Sequence, residues 1–78
     1  MQIERSDIIS AIDEANVVAN PEGLRDSIPL EDQGIDSLGL FNIILLLEER
    51  YELKVSDEDI EKLHSIEDII LYLKGRAG

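Results

Sequence analysis

The stretch Gly34-Ile35-Asp36-Ser37-Leu38-Gly39-Leu40-Phe41-Asn42-Ile43-Ile44-Leu45-Leu46-Leu47-Glu48-Glu49-Arg50-Tyr51 sets the architecture of this chain. At about 100° per residue, Leu40, Ile43, Ile44, Leu47 and Tyr51 gather within about 100° of arc, which defines one buried face of an α-helix. Asp36 stands where a helix N-cap belongs, and Ser37 follows it in the first turn with its hydroxyl toward solvent. Gly34 permits the tight backbone turn that leads into the helix. On the opposite side lie Leu38, Phe41 and Leu45, interleaved with Asn42, Glu48, Glu49 and Glu52. An apolar stripe fringed by carboxylates suits a partner that is desolvated at its centre and basic at its rim. Periodicity alone equally allows both faces to be buried within a bundle.

Working toward the N-terminus, Pro21, Gly23, Pro29 and Gly34 forbid a long helix between Asn16 and Asp36. Val17, Val18, Leu24, Ile28 and Leu30 in the same segment predict an ordered loop packed down by its side chains, with room for a helical turn. Before it, Ile8, Ile9 and Ile12 against Asp7, Asp13 and Glu14 predict an amphipathic first helix, with Ser6 its expected N-cap unless the helix begins earlier. Toward the C-terminus, Ser56 followed by Asp57, Glu58 and Asp59 predicts a short capped helix to about Lys62. Ser65 with Asp68 repeats the device, and Ile66, Ile69, Ile70 and Leu73 continue a last helix to near Gly75. The expected fold is all-α: a four-helix bundle of three main helices and one short third helix, with a long first loop, in a single domain over residues 1–78.

Composition narrows the function. The 78 residues carry 18 acidic and 7 basic side chains, for a net charge of −11. That charge repels nucleic-acid backbones and anionic membrane surfaces, so neither is an expected partner. Ten of the acids fall between residues 31 and 62 against three bases, which points to a basic protein partner for the second and third helices. With 44% hydrophobic residues the chain is too apolar for a disordered acidic tail. Cysteine is absent, which excludes a disulfide framework and a thiolate zinc site, so any reactive thiol must come from a cofactor. No apolar run approaches the roughly 20 residues that span a bilayer, and the N-terminus lacks a secretory pattern, so the expected address is cytoplasmic. No metal site is expected: Asp57, Glu58 and Asp59 lack the glycine and spaced ligands of a calcium loop, and offer at most weak, nonspecific cation binding. Catalysis by Ser37 is not expected either, because the single histidine, His64, is read as a surface or helix-boundary residue and no nucleophile elbow is present.

Taken together, Gly34-Ile35-Asp36-Ser37-Leu38 resembles the motif of the acyl carrier protein family, whose members attach 4′-phosphopantetheine to the serine at the start of the second helix. Glu48-Glu49-Arg50-Tyr51 looks like the acidic and aromatic end of that helix. The segments from Val55 to Lys62 and from Ser65 to Leu73 are similar to the family's third and fourth helices. The resemblance implies a non-catalytic carrier with Ser37 as the attachment residue, framed by Gly34, Asp36 and Leu38, and a cofactor delivered from coenzyme A. It implies partners as well: a phosphopantetheinyl transferase, and acyl-loading and acyl-transferring enzymes whose basic docking patches meet Leu38, Phe41, Asn42, Leu45, Glu48 and Glu49. The carrier is expected to act as a monomer in fatty-acid, lipid or specialised acyl biosynthesis. Gly39, Asn42 and Phe41 depart from the acid, glutamate and aliphatic residue common in fatty-acid carriers, which points toward a dedicated pathway. Gly39 is also expected to weaken the first turn, by up to about 1 kcal/mol relative to alanine. Two alternatives stay open: an aminoacyl or peptidyl carrier, and an acidic helical interaction domain with Ser37 unmodified.

Overall fold

A computed structural model of the chain describes residues 2–77, and it is all-helical there, with no strand among the described residues. Helices α1 (Arg5–Ala15), α2 (Ser37–Tyr51), α3 (Asp57–Ile60) and α4 (Ile66–Ala77) form the bundle, with 3-10 turns at Pro21–Gly23 and Leu30–Gln33 inside the first connection. Three main helices and a short third one are thus present as expected.

Helix α1 buries Ile8, Ile9, Ala11 and Ile12 and packs against both α2 and α4. It starts before Ser6, so Ser6 is not the cap. Glu4 takes that position because Asp7, three residues on, reaches back and accepts the Glu4 amide proton at 2.8 Å. The α1 chain reverses at Asn16, in the left-handed region at φ 56°, a conformation asparagine tolerates better than most residues.

Helix α2 follows the expected limits. Ile43, Ile44 and Leu47 are buried and Leu40 and Tyr51 partly so, which is the face the periodicity marks out. Arg50 near its end donates to Glu14 Oε2 at 3.0 Å and to Ser10 Oγ at 3.2 Å, tying α2 to α1. Helix α3 is shorter than expected. Ser56 Oγ accepts the Asp59 amide proton at 3.2 Å, but after Ile60 the bonds tighten to a spacing of three, Lys62 to Asp59 and Leu63 to Ile60, and the helix closes before Lys62. At the start of α4, Ser65 and Asp68 cap each other reciprocally at 3.1 and 3.2 Å. This helix runs past Gly75 to Ala77, since a glycine near a helix end costs only about 1 kcal/mol.

The first loop is held by polar side chains as much as by apolar ones. Arg5 donates to Asp26 Oδ1 at 2.6 Å and to the Leu24 carbonyl at 2.7 Å. Gln33 accepts from the Arg25 amide and donates to the Arg25 and Ile28 carbonyls, closing the second half on itself. Two backbone bonds then fasten the loop to the start of α4: Leu30 donates to the His64 carbonyl at 2.7 Å and Glu67 to the Asp26 carbonyl at 3.0 Å. Leu24 and Leu30 are buried and Val17 and Val18 partly buried, as expected, whereas Ile28 is exposed, its peptide being turned outward so that its carbonyl meets Gln33.

Candidate functional site

The loop delivers its last residues to α2 in a fixed geometry. Gly34 has φ 95°, and no atom lies within 4 Å of where its Cβ would be, so the glycine is needed for conformation and not for space. Ile35 turns inward, 2% exposed, and its amide donates to the Leu30 carbonyl at 3.0 Å. Asp36 then caps α2, with Oδ1 accepting the Gly39 amide proton at 2.8 Å. Ser37 is the first residue of the helix and is exposed. Because Asp36 takes the Gly39 amide, the amides of Ser37 and Leu38 have no protein acceptor among the described residues, and they sit at the positive end of a 15-residue helix. An alcohol beside free amides at a helix start fits a phosphate ester, since both the dipole and the amides stabilise the added negative charge.

Gly39 has a role that the sequence did not disclose. A Cβ there would stand 3.2 Å from Ile35 Cγ2 and 3.2 Å from Val17 Cγ1, so glycine lets the first loop pack directly onto the first turn of α2. What reads as a weak helix residue is a contact point.

The outer face of α2 is open. Leu38 is 68% exposed and Phe41 and Leu45 are each 41% exposed, which removes the alternative that both faces are buried. Asn42 and Glu49 are exposed beside them, and together with Leu45, Leu46, Glu14 and Ala15 they line a groove between α1 and α2. Glu48 is placed differently. It is half-buried, and its Oε2 accepts the Val55 amide proton at 2.7 Å, so one oxygen holds the connection to α3.

A second feature comes from tertiary contact alone. Beside Ser37 lies a cavity of about 270 Å³ whose walls include Ile35 and Leu40 from the α2 side and Pro29, Ile60 and His64 from three other segments. Nothing in the spacing of these residues announces that they meet. Among the described residues no group of three or more His, Cys, Asp or Glu side chains is placed to hold a metal ion. No described helix is long and apolar enough to cross a membrane.

Comparison with known proteins agrees with this geometry. Residues 7–73 match the family described as "Phosphopantetheine attachment site". Fold and site therefore define a carrier domain whose cofactor is 4′-phosphopantetheine. An acyl carrier protein of Chlamydia felis is 35% identical over 78 residues, covering 100% of this chain and 99% of that one. One from Chlamydia caviae is 38% identical over 72 residues, covering 92% and 94%. Among solved structures, a solution structure from Anaplasma phagocytophilum described as an acyl carrier protein superposes with a TM-score of 0.80 at 27% identity, over 95% of this chain and 88% of that one. The chain belongs to the acyl carrier protein family, and as such it is a carrier and not a catalyst.

Proposed function

We propose that Ser37 bears the 4′-phosphopantetheine arm and that the outer face of α2 presents the cargo to partner enzymes. The observation that carries this reading is the placement of an exposed serine at the capped start of α2, directly beside an exposed apolar stripe on the same helix. Ser37 Oγ, its proton taken by the transferase, attacks the pantetheine-bearing phosphorus of coenzyme A, and the phosphodiester forms as the pyrophosphate P–O bond breaks and adenosine 3′,5′-bisphosphate leaves. The Leu38 and Ser37 amides stabilise the phosphate once it is there. The bound arm supplies the thiol that this cysteine-free chain lacks, and it carries acyl cargo as a thioester at high effective concentration near each docked enzyme.

Leu38, Phe41 and Leu45 form the centre of the docking surface, and Asn42, Glu49 and the free oxygen of Glu48 form its rim. Charge complementarity favours partners with basic patches. The carrier acts as a monomer in the cytoplasm, and its departures at Gly39, Asn42 and Phe41 favour a dedicated acyl pathway over general fatty-acid synthesis. Net charge of −11 supports an acyl over an aminoacyl or peptidyl carrier.

The test is intact mass before and after incubation with coenzyme A, magnesium and a broad-specificity phosphopantetheinyl transferase. One phosphopantetheine increment is expected on the wild type and none on Ser37→Ala. A folded wild type without the increment, either as isolated or after treatment, returns the chain to the class of acidic interaction domains.

A further inference from the structure

Of the residues lining the cavity beside Ser37, three are carboxylates: Glu31, Asp36 and Glu61. The prosthetic group adds a phosphodiester, with one further negative charge, at the same place. The only cavity-lining side chain able to carry positive charge is His64. Its backbone is anchored on both sides, its amide donating to Asp68 Oδ2 at 3.1 Å and its carbonyl accepting from Leu30 at 2.7 Å. The imidazole is exposed and has no hydrogen-bond or ion-pair partner among the described residues. A fixed stem with a free basic head, facing a cavity shared with the attachment residue, is the arrangement expected of an anion contact.

We propose that His64 is the cationic contact for the phosphodiester carried on Ser37, so that its protonation biases the arm to lie across the cavity toward α3 and α4. The inference rests on Ser37 being the modified residue. Histidine titrates near neutral pH, so the contact strengthens on mild acidification and weakens above it. Glu31 of the second 3-10 turn, Asp36 of the α2 cap and Glu61 after α3 line the same cavity, and Asp68 of α4 accepts the His64 backbone amide proton, so the phosphodiester joins carboxylates already present.

The experiment follows the His64 ring protons by NMR against pH at low ionic strength, in apo protein and in holo protein whose single mass increment has been verified. The expected result is a His64 titration midpoint measurably higher in the holo form than in the apo form. The phosphodiester phosphorus resonance should titrate at the same midpoint in wild type and lose that step in His64→Gln. This variant keeps both backbone anchors and is expected to fold and accept the arm normally. Identical midpoints in verified holo and apo protein overturn the contact, and so does a midpoint that falls on Glu61→Gln but ignores the arm, which would assign the imidazole to its carboxylate neighbours. Failure to form holo protein at all tells against Ser37 as the attachment residue instead.

Discussion

Individual residues at the head of α2 do different work from what their types suggest. Gly34 is held at φ 95° by the amide bonds that close the second 3-10 turn, with open space where a side chain would go. Gly34→Ala is therefore expected to destabilise by about 1 to 2 kcal/mol through backbone strain alone, and the loss should appear as a lower midpoint in urea at unchanged slope. Gly39 is the opposite case, with an ordinary helical backbone and crowded surroundings, so that any added bulk must displace Val17 or Ile35. The turn at Gly34 was legible in the sequence, whereas the close approach of Val17 and Ile35 to Gly39 was not, because a one-dimensional pattern records no neighbours. The single cap at Ser56 and the reciprocal cap at Ser65, by contrast, were legible, because capping is a local event between residues three apart.

At the scale of elements, α2 carries two apolar faces of different burial, and the energetic consequences separate them. Ile43 is fully buried, so Ile43→Ala should cost about 2 to 5 kcal/mol in unfolding free energy. Phe41 and Leu45 are 41% exposed, and Phe41→Ala or Leu45→Ala should leave stability within about 1 kcal/mol while lowering kcat/KM of a partner enzyme acting on the loaded carrier. Unfolding of the bundle by either exposed-face change would overturn the division of labour. Periodicity predicted both faces but could not say which was covered, since burial is a property of the neighbouring helices. The first loop was harder still. Its apolar residues were visible, yet the bonds from Arg5 to Asp26 and Leu24, and from Gln33 to Arg25 and Ile28, join positions 5 to 21 apart with no periodic signature. Ile28 was misplaced for that reason.

For the whole molecule, a net charge of −11 on a body of 30 × 24 × 21 Å means that like charges repel across much of the surface. The Debye length is about 8 Å at 0.15 M salt and about 30 Å at 0.01 M, so thermal stability should rise on adding simple salt from the lower to the higher concentration. Alkali should act in the other direction. Burial and then the Asp59 hydrogen bond raise the Tyr72 phenol above its ordinary value, and burial with the nearby Asp7 charge raises Tyr51. A group raised in the folded state binds its proton more tightly than it does in the unfolded chain. Its stabilisation is complete below the unfolded value of about 10 and is lost as pH climbs through the raised folded value. The thermal midpoint should fall as pH climbs above about 10, less steeply in Tyr72→Phe, as followed by circular dichroism.

The sequence by itself determined the helix count, the limits of α2, the caps of α2, α3 and α4 and the acidic, cysteine-free chemistry that calls for an external thiol, and the motif around Ser37 carried the family. Each of these depends on residues close together in the chain or on composition, which the linear order preserves. Only the tertiary structure decided that the outer face of α2 stays open, that Gly39 seats Val17, that Glu48 is partly committed to Val55, and that His64 shares a cavity with Ser37. Those facts arise where separate segments meet, and a meeting of segments is set by the packing of the whole core, which no local spacing encodes.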